Sequence, residues 1–207
     1  MKKLRLSFIV ASALASSWIW AAGPEAPANR EANFAWVAPG IPNFHQVGEQ
    51  IYRGGQPRDD GWQSLSKLGV RVVIDLRRDG EDGDHSLNQE AEIVKAAGMR
   101  YVSVPMKAVV APAGDDIRRI LALLNSGDTV FVHCRKGMDR TGTVIAAYRI
   151  THDRWPNGQA LKEAESLGMG WTELGMKRYI RKLQPSDQRE GASPRQQLAP
   201  PPGGSLP

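Results

Sequence analysis

Three short, almost unbroken apolar runs divide the middle of the chain: residues 70–76 (VRVVIDL), 100–104 (RYVSV) and 129–133 (TVFVH). Their length and β-branched content predict strands buried on both faces. Residues 50–53 predict a further strand at the sheet edge. The intervening segments repeat apolar positions at helical spacing. Trp62, Leu65 and Leu68 mark a first helix, and Ala91, Val94 and Ala97 a second, which Gly98 can end in a left-handed cap. Ile117, Ile120, Leu121 and Leu124 mark a third behind Asp115, an N-cap by residue type. Beyond residue 133 a short loop leads to a helix over 141–154 with Val144, Ile145, Ala147 and Tyr148 as core positions, and two more helices follow over 159–167 and 172–183. Strands alternating with helices imply right-handed crossovers, hence an α/β fold with a mainly parallel central sheet flanked by helices in three layers.

Composition sets the boundaries of that domain. Lys2, Lys3 and Arg5 precede an uncharged apolar run over 6–20 and then small residues, the layout of a secretory signal peptide over 1–22. The run is shorter than the roughly 20 residues a spanning helix needs, so no stable membrane span is expected after processing. The chain is expected to be exported, to the periplasm or beyond. Residues 23–40, rich in Ala, Pro and Asn, read as a spacer. Residues 41–184 read as one catalytic domain, and 185–207, dense in Pro, Gln, Gly and Ser, as a disordered tail. The net charge of +5 falls to about +2 once the three leader cations are set aside, too little to point to a nucleic-acid partner.

There is one cysteine, Cys134, so no internal disulfide can form and the fold rests on its core. A lone thiol is most often a buried small hydrophobe. Its neighbours argue otherwise. The segment reads His133-Cys134-Arg135-Lys136-Gly137-Met138-Asp139-Arg140-Thr141-Gly142 and joins a predicted buried strand to a helix. A loop wrapped between a strand end and a helix N-terminus turns successive N–H groups toward one point, a nest for an anion that the helix dipole reinforces. Arg140 adds a planar fork suited to two phosphate oxygens. The same field favours the Cys134 thiolate, giving a nucleophile that needs no metal. The four histidines, at 45, 85, 133 and 152, show no metal-ligand spacing, and no cofactor is expected.

This segment resembles the Cys-x5-Arg signature of the protein tyrosine and dual-specificity phosphatase superfamily. The similarity extends through Asn43-Phe44, Ile51-Tyr52-Arg53-Gly54-Gly55-Gln56-Pro57 and Val73-Ile74-Asp75-Leu76-Arg77 to the bacterial, plant and fungal dual-specificity-like branch. The resemblance implies that Cys134 is the nucleophile, Arg140 the phosphate clamp and Thr141 a hydroxyl that eases thiolate departure, with Gly137 and Met138 in the substrate cradle. By the same resemblance His133 orients the loop and tunes Cys134. The implied partner is a phosphorylated protein or peptide, with an inositol phosphate or phosphoinositide as the alternative. Family members often carry an aspartic general acid in the stretch that here spans 101–114, which contains no Asp or Glu. Cys-x-x-Gly-x-Asp-Arg-Thr is similar to the loop of myotubularin-type lipid phosphatases, which implies Asp139 as proton donor. Asp115 and Asp116 are the other candidates, and the structural alternative for Asp139 is a carboxylate satisfying loop amides.

Arg135 and Lys136 are placed to select poly-anionic substrates at the pocket rim, Lys107 more weakly, although basic loop residues are commonly just solvated. Arg53, Asp75 and Arg77 are expected to be structural ion-pairing residues, and Trp62, Trp155 and Trp171 packing residues. A rhodanese-type sulfurtransferase also places cysteine in an anion-binding loop, but Arg140-Thr141-Gly142 counts against it. A non-catalytic phospho-binding module is the remaining alternative.

Overall fold

The computed structural model describes residues 38–81 and 83–185. The expected signal peptide, most of the spacer and nearly all of the tail lie outside them. Five strands, β1 (His45–Gly48), β2 (Ile51–Gly55), β3 (Val72–Asp75), β4 (Arg100–Ser103) and β5 (Val130–Cys134), form one sheet in the order β1-β2-β5-β3-β4. All neighbours run parallel except β1 and β2. The strand expected at the edge from residues 50–53 is therefore interior. The edge is β1, whose sparse apolar content (HQVG) gave no strand signal, and it shields β2 by antiparallel pairing.

Alternation along the strands sorts the core into two layers. Ile51, Val72, Ile74, Val130, Val132 and Cys134 face one side, while Tyr52, Val73 and Phe131 face the other. The second side is covered by α1 (Asp59–Lys67), through Trp62 and Leu65, and α2 (Leu87–Ala96), through Val94. Ser86 and Gln89 close α2 with a reciprocal capping box, and Gly98 turns the chain away at φ 77°. The first side carries α3 (Gly114–Leu124), α4 (Asp139–Thr151), α5 (Asn157–Ser166) and α6 (Leu174–Lys182). Ten residues of α4 are buried, so it shows no amphipathic stripe: the sheet lies beneath it and helices lie against it.

Three expectations change in detail. Asp115 does not cap α3; Ala113 holds that position without a side-chain bond, and Asp115 pairs with Arg118 within the first turn. Trp62 is buried and Trp155 packs against the larger core under the Arg149 guanidinium, 4.5 Å from its ring, but Trp171 is 84% exposed. Arg53 is buried with no carboxylate within ion-pair distance among the described residues, for a reason that belongs to the loop below. No helix among the described residues is long and apolar enough to cross a membrane.

Candidate active site

The middle strand β5 ends on Cys134, flanked by Gly55 of β2 in register, while Asp75 of β3 stands beside His133. Parallel strands gather their ligand sites at this carboxyl end. The chain then crosses directly over β2. Gly137 adopts φ 73°, and a Cβ placed on it would lie 2.3 Å from the Gly54 carbonyl carbon, so only glycine fits. The Gly137 carbonyl accepts from Arg53 Nη2 at 2.7 Å and Asn43 Nδ2 at 2.9 Å, and Gln56 N–H donates to Arg135 O at 3.1 Å. Arg53 thus serves as a strut under the loop instead of the ion-pairing partner expected. Burial lowers its pKa to about 10, against the opposing pull of Glu163 and Cys134, and it remains a cation at neutral pH.

With carbonyls of the loop drawn down onto β2, the backbone N–H groups of residues 135–140 donate to no acceptor among the described residues. They are left for an anion, at the N-terminus of α4. A cavity of about 370 Å³ opens above them, lined by Gly80, Glu81, Ala108, Cys134, Arg135, Lys136, Asp139 and Arg140. Cys134 is only 3% exposed, yet it forms part of this wall.

Arg140 enters as the second residue of α4, with its guanidinium tied to the strand ends. Nη1 donates to Leu76 O at 3.2 Å and to Met106 O at 3.4 Å. Glu81 grips the same edge with both oxygens, Oε1 2.9 Å from Nη1 and Oε2 2.8 Å from Nη2. Burial lowers the Arg140 pKa, but the Glu81 bond and the Cys134 charge more than offset it, and the net shift is upward. The sequence reading missed Glu81. Its one signal was the carboxylate-rich loop after β3, which carries Asp79, Glu81 and Asp84.

Of the expected residues, Cys134, Arg135, Lys136, Asp139 and Arg140 share the cavity wall. Asp139 Oδ1 also accepts from Gly170 N–H at 2.8 Å, which fixes the carboxylate against the α5–α6 turn. Thr141 is fully buried, and its hydroxyl has no hydrogen-bond partner among the described residues. Gly137 and Met138 stand outside the wall, the first against Gly54 and Gly55, the second against Gly168. Asp115 and Lys107 are exposed, Asp116 is half-buried, and none of the three lines it.

Behind the loop His133 is wholly buried, stacked on Phe131 and edge-on to Trp62. Burial works against its charge, but Glu90 and Asp75 prevail and raise its pKa to about 9. Its Nε2 lies 2.8 Å from Glu90 Oε1 without hydrogen-bond alignment, so the contact is an ion pair; Nδ1 lies 3.4 Å from Cys134 O. Asp75, Glu90 and His133 bring ligand atoms within 4.8 Å of one another, a metal-like grouping that the sequence spacing did not reveal. Arg77 supplies the cation there, with Nη2 2.7 Å from Asp75 and 2.6 Å from Glu90. Tyr101 O–H donates to Asp75 at 2.8 Å and Gln56 to Glu90 at 3.1 Å, so this buried network is almost fully paired.

Comparison with known proteins matches this arrangement. A family model described as a DSP-PTPase phosphatase fused to NAD+ kinase matches residues 31–182. The dual specificity protein phosphatase TpbA of Pseudomonas aeruginosa (strain UCBPP-PA14) is 30% identical over 151 residues, covering 72% of this chain and 63% of TpbA. The chain thus spans less than two thirds of that relative. The crystal structure of P. aeruginosa TpbA superposes with a TM-score of 0.61 at 24% identity, over 74% of this chain and 92% of the other. The catalytic core of the PP-IP phosphatase SIW14 from S. cerevisiae gives 0.61 at 22%, over 72% and 91%. The structural likenesses establish the three-layer fold, and the family match runs from before β1 to the end of α6: the chain belongs to the protein tyrosine and dual-specificity phosphatase superfamily.

Proposed function

We propose that the chain hydrolyses phosphate monoesters through a cysteinyl-phosphate intermediate. The observation that carries this reading is the meeting of Cys134 and Arg140 on one cavity wall above a loop whose amides are uncommitted. Cys134 Sγ attacks phosphorus, the P–O bond to the leaving group breaks, and Asp139 gives that oxygen its proton. Water, giving its proton to the Asp139 carboxylate, then attacks the phosphoryl group, the S–P bond breaks and inorganic phosphate leaves, with Thr141 supporting the departing sulfur. Loop amides and Arg140 stabilise the equatorial oxygens in both steps.

Phosphotyrosine, alone or among other phosphoresidues, is the substrate class proposed first; a cysteine-to-serine variant of TpbA has been crystallised in complex with phosphotyrosine. Inositol phosphates are the second reading, favoured by Arg135 and Lys136 on the cavity wall and by similarity to the inositol diphosphatase DSP5 of Arabidopsis thaliana, 22% identical over 138 residues. Export, by the leader in residues 1–22, belongs to the same proposal and is tested by cell fractionation.

Cys134→Ser should lower turnover of an aryl phosphate by about 10⁴-fold or more, and the wild-type cysteine should be labelled by trapped phosphoryl groups. Retained activity in that variant rejects the mechanism. Asp139→Asn should slow alkyl phosphates by roughly 10²–10⁴-fold and activated aryl phosphates much less. Equal slowing of both would remove the proton-donor role from Asp139. A panel of phosphotyrosine peptides, phosphoserine peptides and inositol phosphates, ranked by kcat/KM, separates the substrate classes.

A further inference from the structure

Among the described residues, four large hydrophobic side chains stand more than a third exposed: Trp171 at 84%, Leu174 at 67%, Val109 at 49% and Val110 at 48%. Scattered singly over a surface they would need no explanation. They fall instead on two segments bonded to each other. Gly175 N–H donates to Val109 O at 3.1 Å, and Val109 N–H donates to Glu173 Oε2 at 2.9 Å. A Cβ on Gly175 would lie 2.5 Å from Val109 O and 2.8 Å from Ala111 N, so the two backbones touch.

Both segments border the cavity. Ala108 lines it, and Gly170, next to Trp171, holds the Asp139 carboxylate. Residues 108–114 read AVVAPAG, a loop without a charge that is exposed over most of its length. Within it Val109 has φ 69°, a left-handed conformation that a β-branched residue strongly resists. The Glu173 carboxylate and the Gly175 amide pin it there. Strain held in place to keep apolar groups in water points to a surface with a use.

Charge indicates which use. Lys107 precedes the loop, Arg135 and Lys136 stand on the cavity wall, and Arg178 lies one helical turn beyond Leu174; all four are exposed and none is in an ion pair among the described residues. Of the nearby carboxylates, Glu173 is buried and bonded inward, Glu81 pairs with Arg140, Asp139 accepts from Gly170 N–H, Asp115 pairs with Arg118, and Asp116 is half-buried. A tryptophan and aliphatic groups ringed by cations suit a lipid interface, where the ring settles at headgroup level and the cations meet anionic lipid. We propose that this rim docks on an anionic phospholipid surface and presents Cys134 to a phosphate group held there, an inference that rests on the phosphatase reading for what happens to that phosphate.

Hydrogen exchange of the full chain tests it locally, with vesicles of phosphatidylcholine alone or with phosphatidylserine. Amides within residues 107–114 and 170–178 should exchange at least about fivefold more slowly on the anionic vesicles. Trp171→Ser combined with Leu174→Ser should abolish that protection while soluble aryl phosphate is turned over at the wild-type rate. Unchanged exchange in these segments, or protection that survives in the variant, overturns the proposal. Protection by a soluble phosphopeptide but not by vesicles would assign the rim to a polypeptide and also overturn it. Failure of the wild type to turn over aryl phosphate would reject the phosphatase reading and leave the vesicle result to be judged separately.

Discussion

In the proposed mechanism Arg140 serves two anions with one guanidinium. Glu81 takes both Nη groups in a bidentate grip, and a phosphoryl group in the cradle needs the same donors. The carboxylate therefore aims the side chain while competing for it. Glu81→Gln keeps the shape and removes the charge, so inorganic phosphate should inhibit about tenfold more tightly, the equivalent of one charge-assisted hydrogen bond changing hands. An unchanged or weaker inhibition constant would show that aiming is the whole of its role. Glu81 is also the residue that sequence reading could least have supplied, because its partner is 59 positions away and its own loop carries neighbouring carboxylates with equal claim.

At the scale of elements, the site is a strand, a loop and a helix laid across a second strand. Gly55 and Gly137 let two backbones meet where side chains would hold them apart. Gly137→Ala should cost about 3 kcal/mol or more, since neither the positive φ nor the space accepts a methyl group; chemical denaturation would show a loss below 1 kcal/mol if the loop could lift instead. The strand-loop-helix and the candidate residues that share the cavity wall were legible in the sequence because they are contiguous and because buried parallel strands read as apolar runs. What escaped was set by distant pairing. β1 has little hydrophobic pattern and is recruited by β2, and Arg53 looked like an ion-pairing residue because nothing local shows that Gly137 O is its partner. Trp171 was assigned to packing on residue type alone, whereas its exposure follows from the turn between α5 and α6.

Across the whole molecule, the network under the loop couples stability to pH. Asp75 is stabilised as the carboxylate below its ordinary value of 3.8: burial opposes this, but His133 and Arg77 outweigh it. That contribution is present above 3.8 and is lost as pH falls through the folded value. His133 is shifted the other way, from 6.5 to about 9, so its contribution is complete below 6.5 and is lost as pH rises through about 9. Thermal and chemical denaturation should therefore show a plateau from about pH 4 to 6.5 and an alkaline decline on the order of 3 kcal/mol. Glu90→Gln should flatten that decline, and an equally steep one in the variant would place its origin elsewhere. The glycine contact between the loop and β2 bears on how a catalytic cycle can run. Two main chains in direct apposition, tied by the bonds from Arg53, Asn43 and Gln56 to loop carbonyls, resist separation, so in the proposed mechanism the cradle meets each ester as a fixed anvil.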